Sequence, residues 1–388
     1  MNKKDVLKNL IEIDSGYAFK SSFFNDNFEG IPIIRIRDIN SGIAETYYSG
    51  DYEEKFIVNN DDLLIGMDGN FKIRKWSGGK ALLNQRVCRI KSISNKLSNE
   101  YLYRILPLEL KLIEDKTSFV TVKHLSVKDI NNIELIIPDI DIQNKIVKII
   151  DKSQELIDNR KKQIEELDLL VKSKFIEMFG NPVNNDMKWD KVVCNDITSK
   201  IGSGATPKGG NSSYKEQGIS LIRSMNVHNN TFLVKDLAFI DDKQAEKLKN
   251  VIVKEDDILL NITGASVARC CKVPKDIIPA RVNQHVAILR CDNEKINPSF
   301  MEYQFTNESY QRLLWDIATS GGATREAITK QQIQMLEVIL PPIELQNQFA
   351  DFVKQVDKLK FEMEKSLKEL EDNFNSLMQK AFKGELFK

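Results

Sequence analysis

Two heptad runs constrain this chain more than any other feature. Read from Ile150, every seventh residue is apolar (Ile150, Ile157, Ile164, Val171, Met178), with Leu156, Leu167 and Leu170 beside them. Lys, Glu, Asp and Gln fill the remaining face. Pro138 stands just before the run and Gly180-Asn181-Pro182 just after, so the spacing predicts one helix from Asp141 to Phe179. At 1.5 Å per residue that helix would be roughly 58 Å long, too long to fold back into one compact core. Its stripe needs a partner helix, and the chain supplies one. After Pro341-Pro342, residues Phe349, Val356, Met363, Leu370 and Leu377 again fall every seven positions, with Phe352, Leu359 and Phe374 nearby.

The entries into the two runs match: Ile137-Pro138-Asp139-Ile140-Asp141-Ile142-Gln143-Asn144 against Leu340-Pro341-Pro342-Ile343-Glu344-Leu345-Gln346-Asn347. Upstream of each lies a globular segment with pieces in the same order. Gly30-Ile31-Pro32-Ile33-Ile34-Arg35 is echoed by Gly218-Ile219-Ser220-Leu221-Ile222-Arg223, Asp61-Asp62-Leu63-Leu64 by Asp256-Asp257-Ile258-Leu259, and Asn84-Gln85 by Asn283-Gln284. Strand-like runs at 31–36, 63–65 and 86–90 are bounded by turn signals, a helix is expected from Asn99 to about Lys116, and one recurs after the cap Asn297-Pro298. Closing strands, 133–137 and 336–340, deliver the chain to the long helices. The separation of matched pieces grows from 188 residues (Gly30 to Gly218) to 203 (Pro138 to Pro341), so insertions lie within the globular segments.

The expected fold class is therefore α+β: two mixed α/β recognition domains, 1–137 and 183–340, and two long helical regions, 138–182 and 341–388. The helices are expected to pair as an antiparallel coiled coil in a pseudo-twofold internal repeat, with the domains at opposite ends. DNA half-sites about one helical turn, roughly 34 Å, apart suit such a device. The seams keep Ile150, Ile157, Ile164, Phe349, Val356, Met363 and Leu370 as candidate partner-binding positions, for each other and for partner helices.

Lys and Arg number 56 and so do Asp and Glu, so net charge argues neither for nor against a nucleic-acid partner and distribution must decide. From Gly69 to Lys91 the chain carries Lys72, Arg74, Lys75, Lys80, Arg86, Arg89 and Lys91 with no acid, interleaved with Phe71 and Trp76, while Gly78-Gly79 allows close backbone approach. The matching stretch holds Arg269, Lys272, Lys275, Arg281 and Arg290 against Asp276 alone. One such stretch reads as a solvated face; two at matched positions favour phosphate and base contact. Gly202-Ser203-Gly204-Ala205-Thr206-Pro207-Lys208-Gly209-Gly210 lacks the Gly-Lys-Ser/Thr ending of a P-loop and reads better as a mobile loop on the DNA-facing side. Ser203, Thr206 and Lys208, with Arg223, join Lys72, Arg74, Lys75, Trp76, Lys80, Arg86, Arg269, Lys272, Lys275 and Arg281 as candidate DNA contacts. Asn84-Gln85 and Asn283-Gln284 could read adenine through bidentate hydrogen bonds. A pair kept in two units that should read different bases more plausibly ties a strand to a neighbouring turn.

Catalytic constellations are missing. The only histidines, His124, His228 and His285, have no metal-ligand spacing, and there is no nucleophile elbow or dinucleotide fingerprint. Neither Asn181-Pro182-Val183 nor Pro341-Pro342-Ile343 matches the Asn-Pro-Pro-aromatic motif of adenine methyltransferases. The cysteines, five and unpaired by Cys-x-x-Cys spacing, read as buried reduced thiols. With no signal core or membrane-length apolar run, the expected location is cytoplasmic.

Taken in order, these residues resemble the specificity subunits of type I restriction-modification systems over essentially the whole chain. The second unit carries Trp189, Gly204-Ala205-Thr206-Pro207, Gly218-Ile219-Ser220-Leu221-Ile222-Arg223, Gly264, Asn283-Gln284, Gly322-Ala323-Thr324 and Leu340-Pro341-Pro342-Ile343-Glu344-Leu345-Gln346, then the ending Gln379-Lys380-Ala381-Phe382-Lys383-Gly384-Glu385-Leu386. The first carries Ser15-Gly16-Tyr17-Ala18-Phe19-Lys20, Asn84-Gln85, Ile137-Pro138 and Met178-Phe179-Gly180, but has no match for Trp189 and has Asp139 where the later Pro-Pro has its second proline. The resemblance implies two target-recognition domains reading a split sequence in double-stranded DNA and helical regions pairing as an antiparallel coiled coil. It also implies docking of two methyltransferase subunits that use S-adenosylmethionine to methylate adenine, and of ATP- and Mg2+-dependent restriction subunits. Those cofactors belong to the partners, and this chain is expected to hold none. The competing readings are a coiled-coil scaffold whose globular ends bind proteins without DNA specificity, and an autonomous DNA-modifying enzyme.

Overall fold

A computed structural model describes residues 4–116, 123–320 and 326–387; the Gly322-Ala323-Thr324 piece lies outside the described residues. The chain divides into two compact units, one holding residues up to Lys161 together with those from Lys365 on, the other Lys162–Glu364.

In the first unit a four-stranded antiparallel sheet runs in the order Ile11–Ser15, Val87–Ser92, Leu63–Gly66, Ile73–Lys75. A second sheet sets Ile31–Ile34 parallel to Ala81–Leu83, with the short strands Phe24–Asn25, Thr46–Tyr48 and Ile57–Val58 alongside. Helix Asn99–Lys116 covers the four-stranded sheet, with Pro107 inside it, and buries Tyr101, Leu102, Ile105, Leu106 and Leu110. The closing strand, Glu134–Ile136, pairs with Lys4–Val6. Ile146 and Ile150, from the early turns of helix Ile140–Phe179, share this core with Met378 and Ala381 from the late turns of helix Ile343–Phe382.

The second unit is built from the same kinds of piece. Its four-stranded sheet runs Thr198–Ser203, Val286–Cys291, Ile258–Asn261, Cys270–Lys272, all antiparallel. Ile219–Ile222 lies parallel to Ala280–Val282, and Glu337–Ile339 pairs with Lys191–Val193. Where one helix was expected after Asn297-Pro298, two occur, Pro298–Thr306 and Glu308–Thr319. Asn307 separates them: its backbone is extended and its side chain accepts from the Ser309 N–H, so it caps the second helix. Phe175 and Phe179 of the first long helix pack on Phe300 and on Phe349 of the last, with ring centroids 4.7–5.6 Å apart. Gly180, at φ +73°, ends the first long helix, and the Trp189 indole N–H donates to the carbonyl of Phe179 at 3.0 Å. Helix bounds thus fall where the proline and glycine stops put them.

The stripe positions are occupied within the chain. Ile150, Ile157, Phe349 and Val356 are buried, and Ile164, Met363 and Leu370 half-buried. The expectation that these seven also serve partner helices is corrected for the four buried ones, whose side chains are already covered. No helix among the described residues is long and apolar enough to cross a membrane.

Candidate nucleic-acid interface

The basic run of the first unit is not a basic patch. Arg74 donates through Nε to the Ile39 carbonyl and through Nη2 to that of Asn40 (2.6 Å), closing the short helix Asp38–Ser41. Lys75 Nζ lies 2.5 Å from Glu100 and 3.4 Å from Asp61, and those partners raise its pKa, hydrogen bonding to Glu100 foremost. Arg89 clamps Asp14 and Asp62. Trp76 is only 1% exposed, packs in the core with Ile34 and Leu83, and donates its indole N–H to the Gly79 carbonyl at 2.7 Å. As a DNA contact Trp76 is therefore corrected: its ring faces the core. Lys72 and Lys80 remain exposed, with no ion pair among the described residues. The cause is pairing across the sheet: Asp61, Asp62 and Asp68 flank strand Leu63–Gly66, whose neighbours Ile73–Lys75 and Val87–Ser92 carry or adjoin Lys75, Arg86 and Arg89.

In the second unit Lys272 donates through Nζ to Ser299 at 3.0 Å while its backbone N–H donates to the buried carboxylate of Glu302, so it fastens its strand to helix Pro298–Thr306. Lys275 pairs with Glu255 at 3.4 Å. Arg281 is buried, donating to the Ala245 and Ala280 carbonyls, and burial lowers its pKa. Arg281 is thus also corrected, from DNA contact to core residue. Arg223 reaches the Asp236 carbonyl and lies over the Tyr214 ring, Arg269 is half-buried in a turn, Ser203 is half-buried at the end of its strand, and Lys208 is exposed. Thr206 alone of this group joins a polar cluster.

That cluster sits on the turn between Ala280–Val282 and Val286–Cys291. The Asn-Gln pair there splits its roles. Asn283 is buried and accepts from the His285 N–H at 3.0 Å, tying the turn as the recurrence suggested, whereas Gln284 is exposed. Gln284 Nε2 lies 3.0 Å from His285 Nε2, the Thr206 hydroxyl donates to Gln284 Oε1, and His285 Nδ1 is 2.5 Å from Thr263 Oγ1. The Gly204 N–H donates to the Asn283 carbonyl, and a Cβ at Gly204 would stand 1.7 Å from the Val282 oxygen, so only glycine lets the loop reach this turn.

In the first unit the turn between Ala81–Leu83 and Val87–Ser92 carries buried Asn84, exposed Gln85 and exposed Arg86, the last at φ +70°. Gly16 approaches as Gly204 does, 2.0 Å from the Asn84 oxygen for a Cβ, and the Gln85 N–H donates to the Tyr17 carbonyl. Arg86 Nη1 donates to Asp68, whose other oxygen meets His124 Nδ1 at 2.7 Å. Burial raises the Asp68 carboxyl, but the hydrogen bonds from His124 and Arg86 outweigh it and hold the group below its usual range. The sequence reading missed Asp68, His124, Thr263 and His285 as site residues. The available signal was the position following each Asn-Gln, where Arg86 and His285 differ.

A family model for the type I restriction modification DNA specificity domain matches residues 3–169 and again 187–372. The chain belongs to the type I specificity-subunit family. As a member of that family it is a DNA-recognition subunit and not an enzyme. Among relatives of the family, the specificity subunit of the type I restriction enzyme EcoBI from Escherichia coli is 28% identical over 410 residues, covering 98% of this chain and 85% of its own length. That of MjaVIII from Methanocaldococcus jannaschii is 23% identical, covering 93% and 88%. The fold is shared with the S subunit of a type I restriction-modification system from M. genitalium (TM-score 0.56, 14% identity, 98% of this chain and 96% of that one). It is shared too with a chain solved in work on complex assembly and conformational transition of the type I R-M system (TM-score 0.59, 17% identity, 99% and 98%).

Proposed function

We propose that this specificity subunit reads a split target in double-stranded DNA, residues 1–137 recognising one half and residues 183–340 the other. The regions 138–182 and 341–388 pair as an antiparallel coiled coil within a pseudo-twofold repeat and set the gap between the halves. Two methyltransferase subunits and, in the larger complex, restriction subunits dock on the chain, and S-adenosylmethionine, ATP and Mg2+ act in those partners. The protein works in the cytoplasm. Lys72, Lys80 and Lys208, exposed near the turns described above, contribute phosphate contacts; Arg86 and Thr206 stand at the turns themselves.

The observation that carries this reading is the double match of one DNA-specificity domain, once on each side of residue 180. Supporting it, early turns of one long helix meet late turns of the other in the first unit, and the reverse holds in the second, as antiparallel pairing requires. Exchanging residues 183–340 for the corresponding domain of another member tests it. The complex with its methyltransferase should keep one half of its target and change the other; a change in both halves would contradict the modular reading.

A further inference from the structure

We propose that the braced tips of the two Asn-Gln turns are base-reading elements, Arg86 taking a guanine in one half-site and Gln284 an adenine in the other. The inference rests on the split-target reading and names the side chains through which it operates.

Specific base contact needs a side chain that presents two hydrogen-bonding groups in a fixed plane. An exposed Arg or Gln usually loses rotamer freedom in making that contact, and an external brace removes the cost beforehand. Arg86 has such a brace. Its side chain is 61% exposed, yet Nη1 is held by Asp68, a carboxylate only 13% exposed and itself fixed by His124. Nε and Nη2 make no hydrogen bond among the described residues. A parallel pair of donors remains, the complement of guanine O6 and N7 in the major groove.

Gln284 is braced by different means. Because its Nε2 donates to His285 Nε2, that imidazole nitrogen carries no proton, and the proton on Nδ1 donates to Thr263. The Thr206 hydroxyl fills one lone pair of Gln284 Oε1. One N–H and one oxygen lone pair of this exposed residue are left in the amide plane, the kinds of group that complement adenine N7 and N6. The two turns share one backbone hydrogen bond, the Met67 N–H donating to the Arg86 carbonyl and the Ile262 N–H to that of His285, at 2.8 and 3.0 Å, but the readers stand one position apart and Arg86 has a positive φ that His285 lacks. One scaffold thus holds two chemically distinct readers, as two half-sites of different sequence require.

The test reconstitutes the full chain with its methyltransferase subunits on unmethylated genomic DNA and sequences the methylated adenines. Wild type should return one split motif. Arg86→Ala should relax a single G·C position in one half by about fivefold to about 150-fold, and Gln284→Ala a single A·T position in the other by a similar factor. If alanine prevents assembly, Arg86→Gln, which keeps a donor for Asp68, should shift its position from guanine towards adenine, and Gln284→Glu should lose its adenine. A wild-type split motif that every assembling variant leaves unaltered, or methylation that falls equally at all sequences, overturns the inference. A wild-type complex with no split motif would instead count against the function proposed above.

Discussion

Arg290 holds the fully buried carboxylate of Asp257 from two nitrogens, Nε and Nη2, each 2.7 Å from an oxygen. Nη2 also donates to the Ile252 carbonyl, so the pair joins the central strand of the second unit to the loop before Ile258. Removing one partner strands a charge in the interior. Arg290→Ala should cost about 3–5 kcal/mol, read as a lowered unfolding midpoint in denaturant, while a loss below about 1 kcal/mol would mean that the clamp is a surface pair.

Glu302 gives the same unit a pH response. Burial pushes its carboxyl from 4.5 up to about 7, against the opposing pull of Lys272 and with Asp357 and Asp256 adding like charge. The folded state holds a proton that the unfolded chain has released, so the stabilising contribution is complete below about pH 4.5 and is lost as pH rises to about 7. Glu302→Gln, which stays neutral, should be more stable than wild type above pH 7, by about 3 kcal/mol at most. The two should converge near pH 4.5. Denaturant titrations of both proteins across that window check the sign.

The cations of the basic run should separate into two groups. Lys72→Ala with Lys80→Ala should weaken binding of the methyltransferase complex to every DNA sequence alike and reduce the salt slope by about one for each phosphate no longer neutralised. Arg74→Ala should act on stability, because it deprives two carbonyls of their donor at the end of helix Asp38–Ser41. Affinity measured against salt concentration, beside thermal melting, distinguishes the two behaviours.

Gln143 and Gln346 are fully buried and do the same work at the start of each long helix. Gln346 donates to the Pro341 carbonyl at 2.7 Å and accepts from the Asn297 N–H at 2.8 Å; Gln143 donates to the Pro138 and Lys96 carbonyls and accepts from the Ser98 N–H. Gln346→Leu orphans buried polar groups at about 1–3 kcal/mol each. The expected result is a clear drop in melting temperature, and Gln346→Glu should fare better than the leucine variant.

These glutamines show why so much of the architecture was legible in the amino-acid order. Heptads, proline stops and a matched Pro-x-x-x-x-Gln entry are local signals, and the helices begin and end where those signals stand. The candidate site was less legible because its chemistry is set across strands. Lys75 meets Glu100 and Asp61, and Arg89 meets Asp14, partners that no linear charge count can assign. Trp76, set among basic residues, looked exposed because alternation along a short strand is weak, yet its ring completes a core. The Asn-Gln pair divides between a buried tie and an exposed tip because the Asn283 side chain turns inward to accept from the His285 N–H while Gln284 stands exposed on the turn. The helix expected after Pro298 broke at Asn307 because a residue that caps one helix cannot also continue another.

Direction of adenine methylation to one split sequence by this subunit is tested by single-molecule sequencing of methylated adenines in the source cells with and without the chain. Loss of a single bipartite motif is expected when the chain is removed, with both half-sites named by the same data. An unchanged methylation pattern, in cells shown to express the partner methyltransferase, would contradict it.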